Sequence, residues 1–263
     1  MPRLVGILNV TPDSFFDGGR HSNLDAALKQ AGKMAAEGAA MLDVGGQSTR
    51  PGYVEVPASE EIARVVPVIS ALAGQIGIPI SVDTYQPEVA LAAVKAGATI
   101  INDVHGFQRR PELADIAAQN GCGAILMHND PSFREAAGGT LERVLEFLER
   151  SIAIALAAGV RREGIIVDPG IGFAKTDAQN LEILARLGEL RVLGFPLLLG
   201  ASRKSVIGNA LRLPPAERLE GTLAITALAV WQGVDYLRVH DVLPNLRAAR
   251  MAQAVRVASD PTA

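Results

Sequence analysis

The sequence predicts an α/β fold of the (β/α)8 TIM-barrel type. Short apolar runs alternate with amphipathic helical segments eight times, and no linker or low-complexity stretch interrupts the alternation. Hydrophobic residues make up 49% of the chain but aromatic residues only 4%, which is typical of buried parallel strands covered by helices. Since 263 residues is an ordinary length for such a barrel, we expect residues 1–263 to form a single domain.

The predicted strands are short apolar runs, several of them rich in Val and Ile. In chain order they are Leu4–Leu8, Met41–Val44, Ile78–Val82, Thr99–Ile101, Gly123–Met127, Gly164–Val167, Phe195–Leu199 and Asp235–Val239.

The predicted helices follow the strands one by one, often with a capping residue before them or a glycine after them. They are Asn23–Glu37, Ser59–Leu72, Pro87–Lys95, Pro111–Gln119, Leu141–Ala158, Asp177–Leu187, Ala216–Gln232 and Pro244–Val257.

A doubly wound sheet is the alternative fold. It more often has five or six strands and a glycine-rich dinucleotide turn. Here the one GxG segment after a strand, Gly170–Gly172, lacks the third glycine of that motif. The barrel is therefore the favoured fold.

Charge and hydropathy exclude several classes of partner. The net charge is -3 and no Lys/Arg run is dense, which argues against nucleic acid. The first apolar run is too short for a secretory signal, and the longest uncharged stretch, Gly221–Val234, is shorter than the roughly 20 residues that span a bilayer. We expect a soluble, cytoplasmic protein without a membrane partner.

Barrel enzymes place their sites at the carboxyl ends of the strands, and polar residues follow all eight predicted strands. Capping could explain one or two of these residues, but eight at one mouth indicate a ligand site. They are Asn9, Asp43, Asp83, Asn102 with Asp103, His128, Asp168, Ser202–Lys204, and Arg238 with His240.

These polar residues are of two kinds. Asp83, Asn102 and Asp168 are chiefly acceptors, which suits a ligand edge with several N–H groups, such as an aminopyrimidine-type ring. Zinc is disfavoured because no histidine stands at ligand spacing. The second kind consists of donors on the loops after strands 2, 7 and 8, which suit a diphosphate. They are Arg50, Ser202, Lys204, Arg238 and His240.

Seven segments resemble the signature segments of dihydropteroate synthases, a family of pterin-binding TIM barrels. In order they are NVTPDSFFDGG, DVGGQSTRPG, SVDTYQPEVA, INDVHG, DPGIGFAKT, GASRKSVIG and LRVHDV, and they run from Asn9 to Val242. The resemblance therefore covers nearly the whole chain.

The resemblance implies a reaction between 6-hydroxymethyl-7,8-dihydropterin diphosphate and p-aminobenzoate, which gives 7,8-dihydropteroate and diphosphate for folate synthesis. It also implies a Mg²⁺ cofactor and a homodimer. Four residues are implied as catalytic. They are Asp83 and Asp168, which accept from the pterin edge, Lys204, which bonds the pterin ring, and Arg238, which stacks on the pterin face.

The remaining implied roles concern binding. Asn102 is the third pterin acceptor, Met127 and Gly200 line the pterin slot, and His240 helps bind the diphosphate with Asn9, which is similar to the family's Mg²⁺ ligand. Thr49, Arg50 and Pro51 would lie on a closing second loop, and Ser202 with Phe173 would help form the p-aminobenzoate pocket.

Two alternative functions stay open, and two departures from the family pattern bear on the second of them. Gln47 stands where the family usually has Glu, and the segment Met127–Pro131 differs from the usual loop. One alternative is a methyltetrahydrofolate-binding barrel of the methyltransferase type, which has no use for a diphosphate site. Another alternative is a non-catalytic pterin-binding paralogue.

Overall fold

The computed structural model describes residues 1–11, 20–47, 55–134 and 139–259. Across these ranges, eight parallel strands form one sheet in the order β6-β5-β4-β3-β2-β1-β8-β7. The strands are β1 Arg3–Asn9, β2 Ala39–Gly45, β3 Ile80–Asp83, β4 Ile100–Asp103, β5 Gly123–Met127, β6 Ile165–Asp168, β7 Leu198–Leu199 and β8 Tyr236–Val239.

The sheet closes into a barrel, as predicted. β1 pairs with both β2 and β8, so the first and the last strand of the chain are neighbours, as in a barrel. The last seam, between β6 and the segment before β7, is held by an isolated parallel bridge between Val167 and Leu197 and by the Val167 N–H, which donates to Pro196 O at 2.9 Å. The chain is therefore a nearly closed (β/α)8 barrel.

Helices surround the barrel. They are α1 Arg20–Ala36, α2 Ala58–Ala73, α3 Pro87–Ala96, α4 Glu112–Gln119, α5 Thr140–Ala158, α6 Asp177–Ala185, α7 Ser205–Leu211, α8 Leu219–Trp231 and α9 Val242–Ser259.

The helix predictions were correct in type but not in every boundary. α1 begins at Arg20, so Asn23 lies inside the helix rather than at its N-cap. The predicted helix Ala216–Gln232 divides into a 3-10 turn, Pro215–Glu217, and α8. The sequence prediction also lacks α7, a seven-residue helix directly after the loop that carries Lys204.

The barrel interior has an apolar lower layer and a polar upper layer. Buried side chains from five strands form the lower layer, separate from the larger core between strands and helices. They are Val5, Met41, Ile125, Ile166 and Leu198. Because side chains alternate along a strand, the inward residues two positions further on lie at the carboxyl ends. Among those positions are the carboxylates Asp43 and Asp168 together with Met127 and Gly200, and they border the candidate site.

In the described ranges, every helix is too short or too polar to cross a membrane.

Candidate active site

Three acceptor side chains lie at the carboxyl ends of β3, β4 and β6. Asp83 and Asn102 are register partners on β3 and β4, and Asp168 ends β6. Asp83 Oδ1 is buried and has no hydrogen-bond partner in the described part of the chain. Asp168 Oδ1 accepts from the Gly170 N–H at 2.7 Å, and Asn102 Nδ2 donates to Asp43 at 3.0 Å. The arrangement leaves oxygens of all three residues to accept from a ligand.

Arg238 crosses the barrel from β8 and joins two of the carboxylates. Its Nε donates to Asp43 Oδ2 at 2.6 Å and its Nη2 donates to Asp83 Oδ2 at 2.7 Å. Charge-assisted bonds of this length are among the stronger interactions in proteins. They hold the guanidinium beside the acceptors at the barrel axis.

Burial changes the acidity of the carboxylates. Desolvation raises the pKa of Asp83 to about 7, Arg238 opposes this rise, and the negative charge of Asp43 adds to it. The pKa of Asp168 is also raised by burial, against the lowering effect of Lys204. A ligand that donates N–H groups favours the ionised form of both residues, because a carboxylate is a better acceptor than a carboxylic acid.

Lys204 lies above the loop that follows β6. Its Nζ donates to Ile171 O at 2.6 Å and lies 4.5 Å from the centre of the Phe173 ring. Burial lowers the pKa of Lys204 to about 8, although Asp168 acts in the opposite direction. Phe173 in turn packs against a small apolar cluster that includes Met127. One wall of the mouth is thus aromatic and apolar, with an ammonium group at its edge.

The loops after β7 and β8 are bonded to each other. Ser202 Oγ lies 3.0 Å from His240 Nδ1 and accepts from the His240 N–H at 3.2 Å. Arg203 forms a two-bonded ion pair with Asp241, with distances of 2.9 and 2.7 Å. These contacts fix the two loops in which barrel enzymes commonly bind phosphate.

Two glycines border the mouth. A Cβ atom on Gly45 would lie 3.6 Å from both Asn9 Oδ1 and Asp83 Cβ. A Cβ atom on Gly200 would lie 3.5 Å from Asp168 Oδ2 and 3.8 Å from Arg238 carbons. Both positions face the same space, so the half-buried Asn9 side chain lies beside the acceptors.

Asn9 suits a magnesium ion. An amide oxygen is a hard ligand, and Mg²⁺ usually takes only one or two protein ligands in addition to water and substrate phosphates. The Asn9 side chain at the mouth, beside Gly45 and Asp83, fits that pattern.

Lys175 lies beneath the same β6 loop and was not singled out from the sequence. Its buried Nζ contacts His128 Nδ1 at 2.8 Å, Gly170 O at 2.9 Å and Phe173 O at 3.1 Å. Desolvation lowers the pKa of Lys175 to about 7. Gly170 has φ +68, and a Cβ atom there would lie 2.0 Å from His128 O, so this loop needs glycine.

A family model described as "Pterin binding enzyme" matches residues 5–240. The dihydropteroate synthase of Clostridium beijerinckii is 48% identical over 253 residues, which is 96% of this chain and 93% of that protein.

The chain belongs to the dihydropteroate synthase family.

Solved structures of the family agree with the fold. Dihydropteroate synthase from Clostridium difficile, crystallised in the presence of pteroic acid, has a TM-score of 0.93 and 47% identity, and the alignment covers 97% of this chain and 96% of that one. The Xanthomonas albilineans enzyme with 4-aminobenzoic acid has a TM-score of 0.92 and 44% identity, with coverage of 97% and 93%.

The structure gathers most of the residues that the family resemblance implied. Around the mouth lie Asn9, Asp83, Asn102, Met127, Asp168, Phe173, Gly200, Ser202, Lys204, Arg238 and His240. Thr49, Arg50 and Pro51 lie outside the described residues, as do residues 13–19 of the first loop.

Two strand-end residues do not face the site, contrary to the sequence expectation. His128 is buried and packs edge-on against Phe133 and Phe147, with 4.7 Å between ring centres in both cases. Asp103 accepts from the His105 and Phe107 N–H groups and so stabilises the turn after β4. Both residues support the barrel rim rather than a ligand.

Gln47 bonds a neighbouring loop in the structure. Its Nε2 donates to the Tyr85 hydroxyl at 3.0 Å, while its buried Oε1 has no partner in the described part of the chain. The family's usual Glu would present an acceptor to that hydroxyl instead of a donor. The substitution therefore alters a contact at the rim and leaves the pterin acceptors unchanged.

Proposed function

We propose that the protein catalyses the dihydropteroate synthase reaction. In this reaction the amine of p-aminobenzoate replaces diphosphate on the exocyclic CH₂ of 6-hydroxymethyl-7,8-dihydropterin diphosphate. The bond from this carbon to the diphosphate oxygen breaks, and the oxygen keeps both electrons. The amine nitrogen forms the new C–N bond and loses a proton to solvent.

One observation carries the proposal: acceptors and cations share the mouth of the barrel. Asp83, Asn102 and Asp168 offer oxygens at the ends of β3, β4 and β6. Arg238 and Lys204 lie within electrostatic reach of Asp83 and Asp168. A pterin edge offers N–H groups to the oxygens, and the diphosphate needs positive charge nearby. Few other ligands combine these two requirements.

The acceptors also assist the reaction itself. Ionised Asp83 and Asp168 at the pterin edge stabilise the positive charge that develops on the ring when the C–O bond breaks. Lys204 positions the other side of the ring from the loop after β7. Phe173 and the apolar cluster around Met127 limit the access of water to the reacting carbon.

The diphosphate leaves toward the loops after β7 and β8. Arg238 and His240 would bind its oxygens, with Ser202 holding the His240 ring. Asn9 would hold Mg²⁺, which supplies charge neutralisation to the diphosphate. Thr49, Arg50 and Pro51 would contribute from the second loop.

A diphosphate-release assay tests the proposal. We expect release only when both the pterin diphosphate and p-aminobenzoate are present, together with 7,8-dihydropteroate in equal amount. Stoichiometric pterin binding without release would indicate a non-catalytic pterin-binding protein. Removal of Mg²⁺ with a chelator should weaken calorimetric binding of diphosphate, and Asn9→Ala should reduce the effect of restored Mg²⁺.

We also propose a homodimer formed through α8 and α9, which pack side by side. Glu220 in the first turn is the one charged residue of α8, which is unusual for a helix that borders solvent, and its Leu228 and Trp231 are 57% and 52% exposed. Trp231→Glu should give a monomer in size-exclusion chromatography with light scattering, whereas Leu156→Glu on α5 should not. A cytoplasmic location stays a prediction.

A further inference from the structure

Asp43 lies beneath the site and is completely buried. We propose that Asp43 is a positioning residue, which fixes the atom that Asn102 presents to the pterin and the place of the Arg238 guanidinium. The inference rests on the proposed function and adds to it a residue that does not contact substrate.

The position of Asp43 follows from strand register. Asp43 pairs with Ser81, and Gly45 pairs with Asp83 two residues further toward the mouth. Asp43 and Ser81 therefore form the layer directly below the acceptors and directly above the apolar lower layer of the barrel interior.

Both oxygens of Asp43 are occupied by protein donors. Oδ1 accepts from Ser81 Oγ at 2.5 Å. Oδ2 accepts from Asn102 Nδ2 at 3.0 Å and from Arg238 Nε at 2.6 Å. A carboxylate that accepts three such bonds without exposed surface acts on the ligand only through its partners.

The first partner is Asn102, whose amide could face the ligand with either its oxygen or its nitrogen. An ionised carboxylate accepts hydrogen bonds and donates none. With the amide reversed, Asn102 Oδ1 would face Asp43 Oδ2 and two acceptors would repel each other. Asp43 therefore directs Nδ2 inward and Oδ1 toward the mouth, where a pterin N–H needs an acceptor.

The second partner is Arg238. Asp43 holds Nε, which leaves Nη2 to reach Asp83 Oδ2 at 2.7 Å. Asp83 Oδ1 then stays without a protein partner in the described part of the chain. Through Arg238, Asp43 thus determines which oxygen of Asp83 is available to the ligand.

A role in stability alone would not explain this geometry. Buried ion pairs are often no better for stability than well-packed apolar residues of similar volume, since desolvation offsets the attraction. Two of the three hydrogen bonds that Asp43 accepts come from the ligand-facing residues Asn102 and Arg238, and orientation of those residues explains the pair better. If Asp43 orients the pterin-binding atoms, Asp43→Asn weakens pterin binding and leaves the KM of p-aminobenzoate nearly unchanged. If Asp43 only stabilises the fold, both substrates are affected equally or neither is.

The experiment compares the wild-type protein with Asp43→Asn, Ser81→Ala and the exchange variant Asp43→Asn/Asn102→Asp. Calorimetry measures the Kd of 6-hydroxymethylpterin, and the diphosphate-release assay measures the KM of p-aminobenzoate at saturating pterin diphosphate. We expect Asp43→Asn to weaken pterin binding by at least about tenfold, the loss of one charge-assisted bond, and to leave the p-aminobenzoate KM within about twofold.

The exchange variant restores a carboxylate opposite an amide. In this variant the amide at position 43 can donate to the carboxylate at position 102. The other oxygen of that carboxylate remains an acceptor for the pterin. We expect it to recover at least about half of the lost binding free energy, as coupled sites do in double-mutant cycles. Recovery supports the orientation of Asn102, and an exchange variant no better than Asp43→Asn overturns it.

Other outcomes also decide the question. Unchanged pterin binding in Asp43→Asn, or equal losses for pterin and p-aminobenzoate, would overturn the proposal. If Asp43→Asn does not fold, Ser81→Ala decides, because it keeps the charge and frees the carboxylate to rotate. A pterin-selective loss of about two- to fivefold supports the proposal, and no loss overturns it. Wild-type protein that binds no pterin would refute the proposed function instead.

Discussion

Replacement of Arg238 by methionine tests the electrostatics of the barrel mouth. Methionine keeps much of the side-chain volume but removes the cation that bonds Asp43 and Asp83 at 2.6 and 2.7 Å. Two buried carboxylates then face each other without a counter-charge. Because Arg238 lowers the pKa of Asp83, its removal should raise that pKa above the wild-type value of about 7.

The expected losses are of moderate size. One charge-assisted hydrogen bond contributes about 1.5–3 kcal/mol, and about 1.4 kcal/mol corresponds to a factor of ten, so kcat/KM for the pterin diphosphate should fall about 10- to 150-fold. In the wild-type protein, kcat/KM should rise as the pH increases through about 7, since Asp83 ionises there. In Arg238→Met this rise should move about one to three pH units higher.

The assay is diphosphate release measured from about pH 6 to pH 10.5, a range that covers the wild-type pKa of about 7 and a shift of up to about three units. Arg186→Met is a matched control, because Arg186 forms its ion pairs with Glu142, Glu182 and Glu189 away from the mouth. It should leave both the rate and the pH profile unchanged. Near-normal kinetics in Arg238→Met, or a reduced rate with an unmoved profile, would refute the role of Arg238.

Three further substitutions test other parts of the site. Asp168→Asn should weaken 6-hydroxymethylpterin binding by at least about tenfold in calorimetry, because it places a donor among acceptors, and a wild-type Kd would contradict this. Lys204→Gln should abolish the decline of kcat/KM that we expect as pH rises through about 8, where Lys204 loses its charge; a persistent decline would assign it to another group. The pKa of Lys175 is lowered from 10.5 to about 7, so burial of its charge costs stability increasingly as pH falls through that range. The Tm of Lys175→Met minus the Tm of the wild type should therefore increase as pH falls from 10.5 to about 7. A difference in Tm that does not change with pH would contradict the lowered pKa of Lys175.

Much of the fold could be predicted because each strand and helix carries its own local pattern. The misses have physical causes. Phe195–Leu199 was predicted as one strand, but Pro196 has no N–H to pair and only Leu198–Leu199 form a ladder with β8. α7 is seven residues long and contains Gly208, so its periodicity is too weak to recognise.

The acceptors could be predicted from their positions at strand ends, but the direction of each side chain needed one more step. Met127 points into the barrel, so the next residue, His128, must point outward to the helices. The same alternation separates Asn102 from Asp103. This rule could have removed both outward residues from the predicted site.

The supporting network could not be predicted from the sequence. Arg238 and Asp43 are 195 residues apart, and no local pattern links them. Lys175 stands in a loop motif whose side-chain directions depend on the positive φ angles of Gly170 and Gly172. Such contacts arise from strand register and loop conformation, which appear only when the barrel is assembled.

The lightly bonded seam between β6 and β7 has a consequence for the bound state. Asp168 lies on one side of this seam and Lys204 follows its other side. A single rigid ring system held by both residues would cross-link the two strands that the backbone joins least. Amide hydrogen exchange at Val167 and Leu199 should then be slowed by substrate more than exchange at β1 and β2, whose ladder is long without any ligand. Substrate binding and stabilisation of the seam between β6 and β7 would then be coupled.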